Sequence, residues 1–246
     1  MTFLSPAPVR TLCALALAAT AAAGVVEGPG PETPAAFSRF QKLVIVHALL
    51  STLAFALILP LGALLARYLR TSRPWWYSGH WIAQLAIGGP VVVAGLGLGF
   101  AAKAEYGDTI SPSHVTLGKV ILGLYIIQCA MGAVIHYFKP ASAARRRPPQ
   151  NYLHAVIGLL LVGLGMYQAH SGYAEEWPRL LRYGELPESV NRLWIAWCVI
   201  LPVAYAGGLA LLPKQYRQEA DGRSGNKAHE LRALKQEGTS SIDMPP

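Results

Sequence analysis

Five apolar runs dominate the chain, at about 41–66, 80–102, 114–138, 152–171 and 192–212. Each holds roughly the 20 residues that cross the hydrocarbon core of a bilayer. Backbone groups in lipid must bond within their own segment, so the runs are predicted as helices. The period-two alternation of a membrane barrel is not visible. A shorter run opens the chain: Arg10 precedes "TLCALALAATAAA", and small residues lead to Gly24. This pattern predicts a secretory signal peptide over 1–23, with an uncleaved anchor as the alternative. Residues 24–40 are rich in Pro and Gly and read as a short extracytoplasmic segment. Residues 213–246 are polar and mixed in charge, and are expected to form a disordered cytoplasmic tail.

Composition sharpens the class. Charged residues make up 14% of the 246 and apolar residues 53%, against about a quarter charged in soluble proteins. The net charge of +8 does not indicate nucleic acid, because the basic residues sit in short loops between apolar runs. Of the three cysteines, Cys13 lies in the leader and Cys129 and Cys198 lie in apolar runs as small hydrophobes. No C-x-x-C-H occurs, so covalent haem attachment is not indicated.

The loops set a topology. Residues 67–79 carry Arg67, Arg70 and Arg73 with no acid, and 139–151 carry Lys139, Arg145, Arg146 and Arg147 with no acid. The intervening loops, 103–113 and 172–191, balance their basic residues with Glu and Asp. The positive-inside rule therefore places the first and third loops in the cytoplasm. Five spans then put the mature N-terminus outside and the C-terminus inside, the side a signal peptide also demands. The expected location is multi-pass, in the plasma membrane or an endomembrane of the secretory route.

The chemistry lies in the histidines. His47, His80, His114 and His154 each stand near the start of a separate run. Successive helices run in opposite directions, so these starts alternate between membrane faces. His47 and His114 fall at the outer level, and His80 and His154 at the inner. The levels are expected to be ~20 Å apart. One intramembrane histidine is readily explained as a hydrogen-bond partner between helices. Four, one per helix on two levels, suggest two bis-imidazole metal centres. Structural zinc wants four ligands, usually including sulfur, and neither level offers them. A haem iron takes two axial imidazoles and finds its other nitrogens in the porphyrin.

Gly118 and Gly158 follow His114 and His154 by one turn, on the same helix face. Two explanations stand for them: room for a porphyrin beside the imidazole, or close helix packing. Ser51, at the same offset from His47, is also small, whereas Gln84 breaks the pattern after His80. His136 and His170 end their helices and are assigned to the interface. Lys119, a charge well inside an apolar run, is read as snorkelling, with a haem propionate or an anionic substrate as the other candidate partner.

With these residues placed, the chain resembles the cytochrome b561 family over about 41–212. The stretches that carry the likeness are "HALLSTLAFALILPLGALLARYLR", "WWYSGHWIAQ", "HVTLGKVILGLYIIQCAMGAVIH" and "NYLHAVIGLLLVGLGMYQAHSGY". It is most similar to the ferric-chelate-reductase-like branch, here without an attached DOMON domain. The resemblance implies an all-α membrane protein whose first four spans form a haem-binding bundle. It implies two non-covalent b haems, the outer on His47 and His114 and the inner on His80 and His154. It further implies electron transfer from a cytosolic reductant to an outside acceptor such as ferric iron or an ascorbate radical. The ascorbate-using branch has an Arg-containing segment and a Ser-Leu-His-Ser-Trp stretch. Here those segments read "ALLARYLR" and "SPSHVTLG", so donor and acceptor stay open.

No acid–base or nucleophilic constellation accompanies the histidines. Whether the protein is an oxidoreductase, of ferric-chelate or monodehydroascorbate reductase type, or a carrier therefore turns on its terminal acceptor. The expected partners are small-molecule donors and acceptors and the bilayer, with a homodimer as a candidate assembly. A proton-coupled transporter using histidine relays and a haem-free membrane scaffold are the alternatives.

Overall fold

A computed structural model describes residues 37–105, 110–138, 147–181 and 187–240. The expected signal peptide and most of the segment after it lie outside these residues, as do Lys139, Arg145 and Arg146. Five helices are long and apolar enough to cross a membrane. We number them α1 (Arg39–Leu69), α2 (Trp76–Glu105), α3 (Pro112–Tyr137), α4 (Pro149–Leu181) and α5 (Glu188–Gly208). A 3-10 turn at Leu209–Leu211 joins α5 to α6 (Leu212–Ser240). α1, α3 and α4 begin ahead of their apolar segments, because their starts are set by a polar cap or a proline. Ser38 and Gln41 exchange side-chain bonds across the first turn of α1, at 3.2 and 2.9 Å, a capping box. Pro112 and Pro149 open α3 and α4, where a missing N–H costs nothing.

One expectation is overturned. The polar tail, read as disordered from 213, is helical as far as Ser240. Its sequence is rich in good helix formers, and its first turns are not free in solvent. Gln215 is 2% exposed against the bundle, and that docking supplies the tertiary support a polar helix lacks by itself.

π segments interrupt the regular helices at Leu53–Ile58 in α1, at Ile82–Ile87 in α2 and at Gly172–Glu176 in α4. Each is followed within three residues by a proline: Pro60, Pro90 or Pro178. Proline has no N–H for the carbonyl four residues back. For Pro60 that carbonyl is Ala56, and Trp197 Nε1 of α5 donates to it at 2.7 Å. In the second π segment, the Gln84 carbonyl accepts Tyr125 Oη at 2.6 Å. Broken helices survive in lipid when neighbours satisfy the freed groups in this way.

α1 packs along α2, and α3 along α4. The middle of the four-helix bundle is filled by Ala54, Phe55, Leu59, Val92, Leu96, Ile121, Tyr125 and Leu161. α5 stays outside that core and leans on α1, held by Trp197 and by Tyr68 Oη donating to the Ala204 carbonyl at 2.6 Å. The outer surfaces are apolar: Leu49 is 65% exposed and Val203 64%. In water such a surface would aggregate; facing acyl chains it is matched to its solvent.

Candidate functional site

The structure brings the four histidines at helix starts together in two pairs. The rings of His47 and His114 lie 6.3 Å apart between centroids, with planes at 78°. The rings of His80 and His154 lie 6.3 Å apart at 76°. Two separate places in the bundle thus repeat one arrangement. His80 and Gly95 are fifteen residues apart on α2, and Gly95 contacts His47. The two pairs therefore sit about 22 Å apart along the helix axis.

Backbone carbonyls orient two of the rings. His47 Nδ1 donates to the Gly95 carbonyl at 2.7 Å, and His80 Nδ1 to the Gly62 carbonyl at 2.9 Å. A carbonyl only accepts, so each Nδ1 carries the proton and each Nε2 keeps its lone pair. The relationship is reciprocal: α1 and α2 each place a glycine carbonyl, fifteen residues after their own histidine, under the histidine of the other. His114 Nδ1 has Ser171 Oγ at 3.4 Å. That hydroxyl already donates to the Gln168 carbonyl at 3.1 Å, so its oxygen faces His114 as an acceptor. His154 Nδ1 is buried with no partner among the described residues.

α3 and α4 repeat each other in the same antiparallel sense. Counting from each histidine, glycine recurs at four, glutamine at fourteen and glycine at eighteen: Gly118, Gln128 and Gly132, then Gly158, Gln168 and Gly172. Gln128 Nε2 donates to the His154 carbonyl and Gln168 Nε2 to the His114 carbonyl, both at 2.7 Å. Gly158 makes room for this contact, since a Cβ there would stand 2.7 Å from Gln128 Nε2. Gly118 faces Gln168 at 3.7 Å. Both glycines named from the sequence thus meet a glutamine of the facing helix.

Other glycines lie against the rings themselves. A Cβ at Gly99 would come within 2.8 Å of His47 Cε1, one at Gly132 within 3.2 Å of His154 Cε1, and one at Gly172 within 3.4 Å of His114 Cε1. Sequence reasoning missed Gly62, Gln128, Gly132, Gln168 and Gly172. The equal intervals after each histidine were the signal that marks most of them.

The remaining intramembrane histidines stand apart from both pairs. His136 stacks on Tyr77, centroids 4.0 Å apart and planes at 11°. His170 packs with Tyr173 and Trp194. Lys119 lies exposed on the outside of α3.

Beyond His80 and His154, α6 closes the arginine-bearing end of the bundle. Arg70 Nη2 donates to Glu219 Oε1 at 2.9 Å, and Arg147 Nη1 lies 3.6 Å from the same oxygen. Arg67 donates to Gln215 Oε1 at 2.5 Å, and Gln215 Nε2 donates to Glu219 at 2.9 Å. Burial pulls the Arg70 pKa below its ordinary value; Glu219 opposes that shift, and Arg147 and Arg67 add to it.

The sequence profile described as eukaryotic cytochrome b561 matches residues 46–178, more than half of the chain and all four paired histidines. The chain belongs to the cytochrome b561 family. Two curated proteins of Arabidopsis thaliana are similar to it. One, a cytochrome b561 and DOMON domain-containing protein, is 27% identical over 130 residues, covering 52% of this chain and 31% of the relative. The other, a cytochrome b561, DM13 and DOMON domain-containing protein, is 27% identical over 191 residues, covering 74% of this chain and 19% of the relative. The chain therefore spans less than a third of either relative. No solved structure matches it. Membership in the cytochrome b561 family implies haem b binding and transmembrane electron transfer.

Proposed function

We propose that the protein carries single electrons across the membrane through two b-type haems, one between His47 and His114 and one between His80 and His154. The observation that carries this is the repeated pair geometry. With metal–imidazole bonds of about 2 Å, two imidazoles on opposite sides of one metal ion stand about 6 Å apart between ring centres. Both pairs have that separation. No group of three or more His, Cys, Asp or Glu suited to a metal ion occurs among the described residues. Each pair thus supplies two nitrogens and relies on a macrocycle for the rest.

A bound haem would supply the one-electron couple. The protein's own residues hold and shield it. The Gly95 and Gly62 carbonyls fix the tautomers of His47 and His80 and aim Nε2 into the gap. Gln128 and Gln168 tie the backbones of His154 and His114 to the facing helix. The core around Phe55, Leu59, Val92 and Ile121 keeps water out of the space between the two levels.

Electrons would enter at the His80–His154 level from a cytosolic reductant and leave at the His47–His114 level to an extracytoplasmic acceptor. Ferric iron and an ascorbate radical are the acceptors the family resemblance suggests. The topology rests on the arginine-rich loops, and it places His80, His154 and α6 on the cytosolic side.

The test is a dithionite-reduced minus air-oxidised spectrum of purified protein, with haem counted per chain. A low-spin b-type spectrum with two haems per chain is expected, and His47→Ala and His154→Ala should each remove a different one. Loss of the same haem in both variants defeats the pairing, and a correctly folded, colourless protein produced with ample haem defeats the proposal.

A further inference from the structure

Three of the four paired histidines have an acceptor beside Nδ1: the Gly95 carbonyl for His47, the Gly62 carbonyl for His80 and Ser171 Oγ for His114. The Nδ1 of His154 is buried and has none among the described residues. One turn earlier on α4, Asn151 Oδ1 is also buried and also without a partner. Buried polar atoms of folded proteins are nearly always satisfied, by protein groups or by ordered water. Two orphans of opposite character on one helix face therefore call for a common explanation.

Chemistry fixes the character of each atom. With His154 Nε2 on a metal ion, Nδ1 carries the ring proton and donates. The amide oxygen of Asn151 accepts. Residues three apart on a helix surface are neighbours, about 5–6 Å apart at Cβ. One water between the two side-chain tips would accept from Nδ1 and donate to Oδ1. There is also room beside the ring. Gly132 of α3 faces it, and the position a Cβ would fill lies 3.9 Å from His154 Nδ1.

The His47–His114 level has no counterpart to this pair. Three residues before His114 stands Ser111, whose Oγ is 2.7 Å from Ser113 Oγ. Ser171 serves the imidazole there, and the matching residue of α3 is Met131, whose thioether is a weak acceptor. The orphaned oxygens of Gln128 and Gln168 recur at both levels and do not distinguish them.

We propose that a buried water bridges His154 Nδ1 to Asn151 Oδ1, and that Asn151 acts through it as a positioning residue for the His80–His154 haem. The inference rests on the reading of His154 as a ligand of that haem. The water fixes the tautomer of His154, as the glycine carbonyls fix those of His47 and His80. Held at one end by a side-chain amide, it accepts less firmly than Ser171, whose hydroxyl is anchored on the Gln168 carbonyl.

The midpoint potential of each haem, measured in the full-length protein in detergent with haem counted per chain, tests the bridge. Asn151→Leu removes the acceptor and fills its space. The potential of the His80–His154 site should rise, and that of the His47–His114 site should stay where it is. Asn151→Ser keeps an oxygen and leaves room for the water, so it should bring the potential back towards the unaltered value. An unmoved potential in Asn151→Leu, or a shift as large in Asn151→Ser, overturns the proposal. If Asn151→Leu loses the haem altogether, an experimental structure of the unaltered protein that shows ordered waters decides. A water within hydrogen-bond reach of both Nδ1 and Oδ1 is expected, and an empty gap or a direct bond between the two side chains overturns the proposal. An unaltered protein without haem at this level defeats the two-haem reading instead, and the same structure still decides the water.

Discussion

Gln128 of α3 donates to the carbonyl of His154 on α4 at 2.7 Å, and fourteen residues separate Gln128 from the histidine of its own helix. Gln168 returns the same bond to His114 at the same interval. The two helices are held as a reciprocal pair, and each glutamine steadies the histidine of the opposite level. Gln128→Leu should therefore disturb the His80–His154 site and spare the other, whereas Gln168→Leu should do the reverse. Each should cost about 1 kcal/mol, the scale of a hydrogen bond between membrane helices. Haem content resolved by spectrum, together with thermal unfolding, checks both.

Gly99 has no room for a methyl group. A Cβ at 2.8 Å from the His47 ring must push the imidazole or part α1 from α2. Gly99→Ala is expected to abolish haem retention at the His47–His114 level. Gly132→Ala, with 3.2 Å to His154, should weaken the other level only partly. Gly97→Ala meets nothing within 4 Å and should leave both spectra unchanged. If Gly97→Ala damages the protein as much as Gly99→Ala, ring contact is not the reason for the glycine.

The two levels differ in the polar atom beside the histidine of α3 or α4. Ser171 faces Nδ1 of His114, and seventeen residues after the histidine of α3 the matching position is Met131. An acceptor at Nδ1 makes an imidazole a stronger donor and favours the ferric state. Met131→Ser should lower the midpoint potential of the His80–His154 site, and Ser171→Ala should raise that of the His47–His114 site. Spectroelectrochemical titration reads both shifts, and movement in the opposite directions would discard the argument.

His136 and His170 are tied up in aromatic packing. His136→Phe preserves a stack on Tyr77, and His170→Phe preserves the contacts with Tyr173 and Trp194. Both variants should keep two haems per chain and an unaltered difference spectrum. Loss of a haem in either would move the ligand assignment.

Trp197→Phe removes the donor to the Ala56 carbonyl. About 1 kcal/mol of stability should go with it, and α5 should loosen from α1 without change in the haem spectrum. Differential unfolding of the two proteins in one detergent measures the loss.

Much of the architecture was legible because lipid leaves the backbone so little choice. Runs of about twenty apolar residues can only be helices, and antiparallel succession fixes which helix starts share a level. His47 and His114 could be paired before any coordinates existed. The docking of the tail could not be read, because composition does not show where Gln215 and Glu219 land. Gly118 and Gly158 caught the eye for their place after a histidine. Their neighbours, Gln168 and Gln128, come from the other helix, and a single-chain pattern does not display that. The π segments were equally hidden: Pro60 announces a defect, but only Trp197, 137 residues later, shows how it is tolerated.

The back-to-back repetition within α1 and α2, and again within α3 and α4, has a consequence for direction. Turned upside down, the bundle nearly superimposes its plan on itself: His47 takes the place of His80, and His114 that of His154. A conduit with such equivalent halves contains no rectifier. Traffic through it would run downhill whichever way the gradient pointed. One-way flow must then arise at the two mouths, where the plan stops repeating and only one end is shut by the chain's own tail.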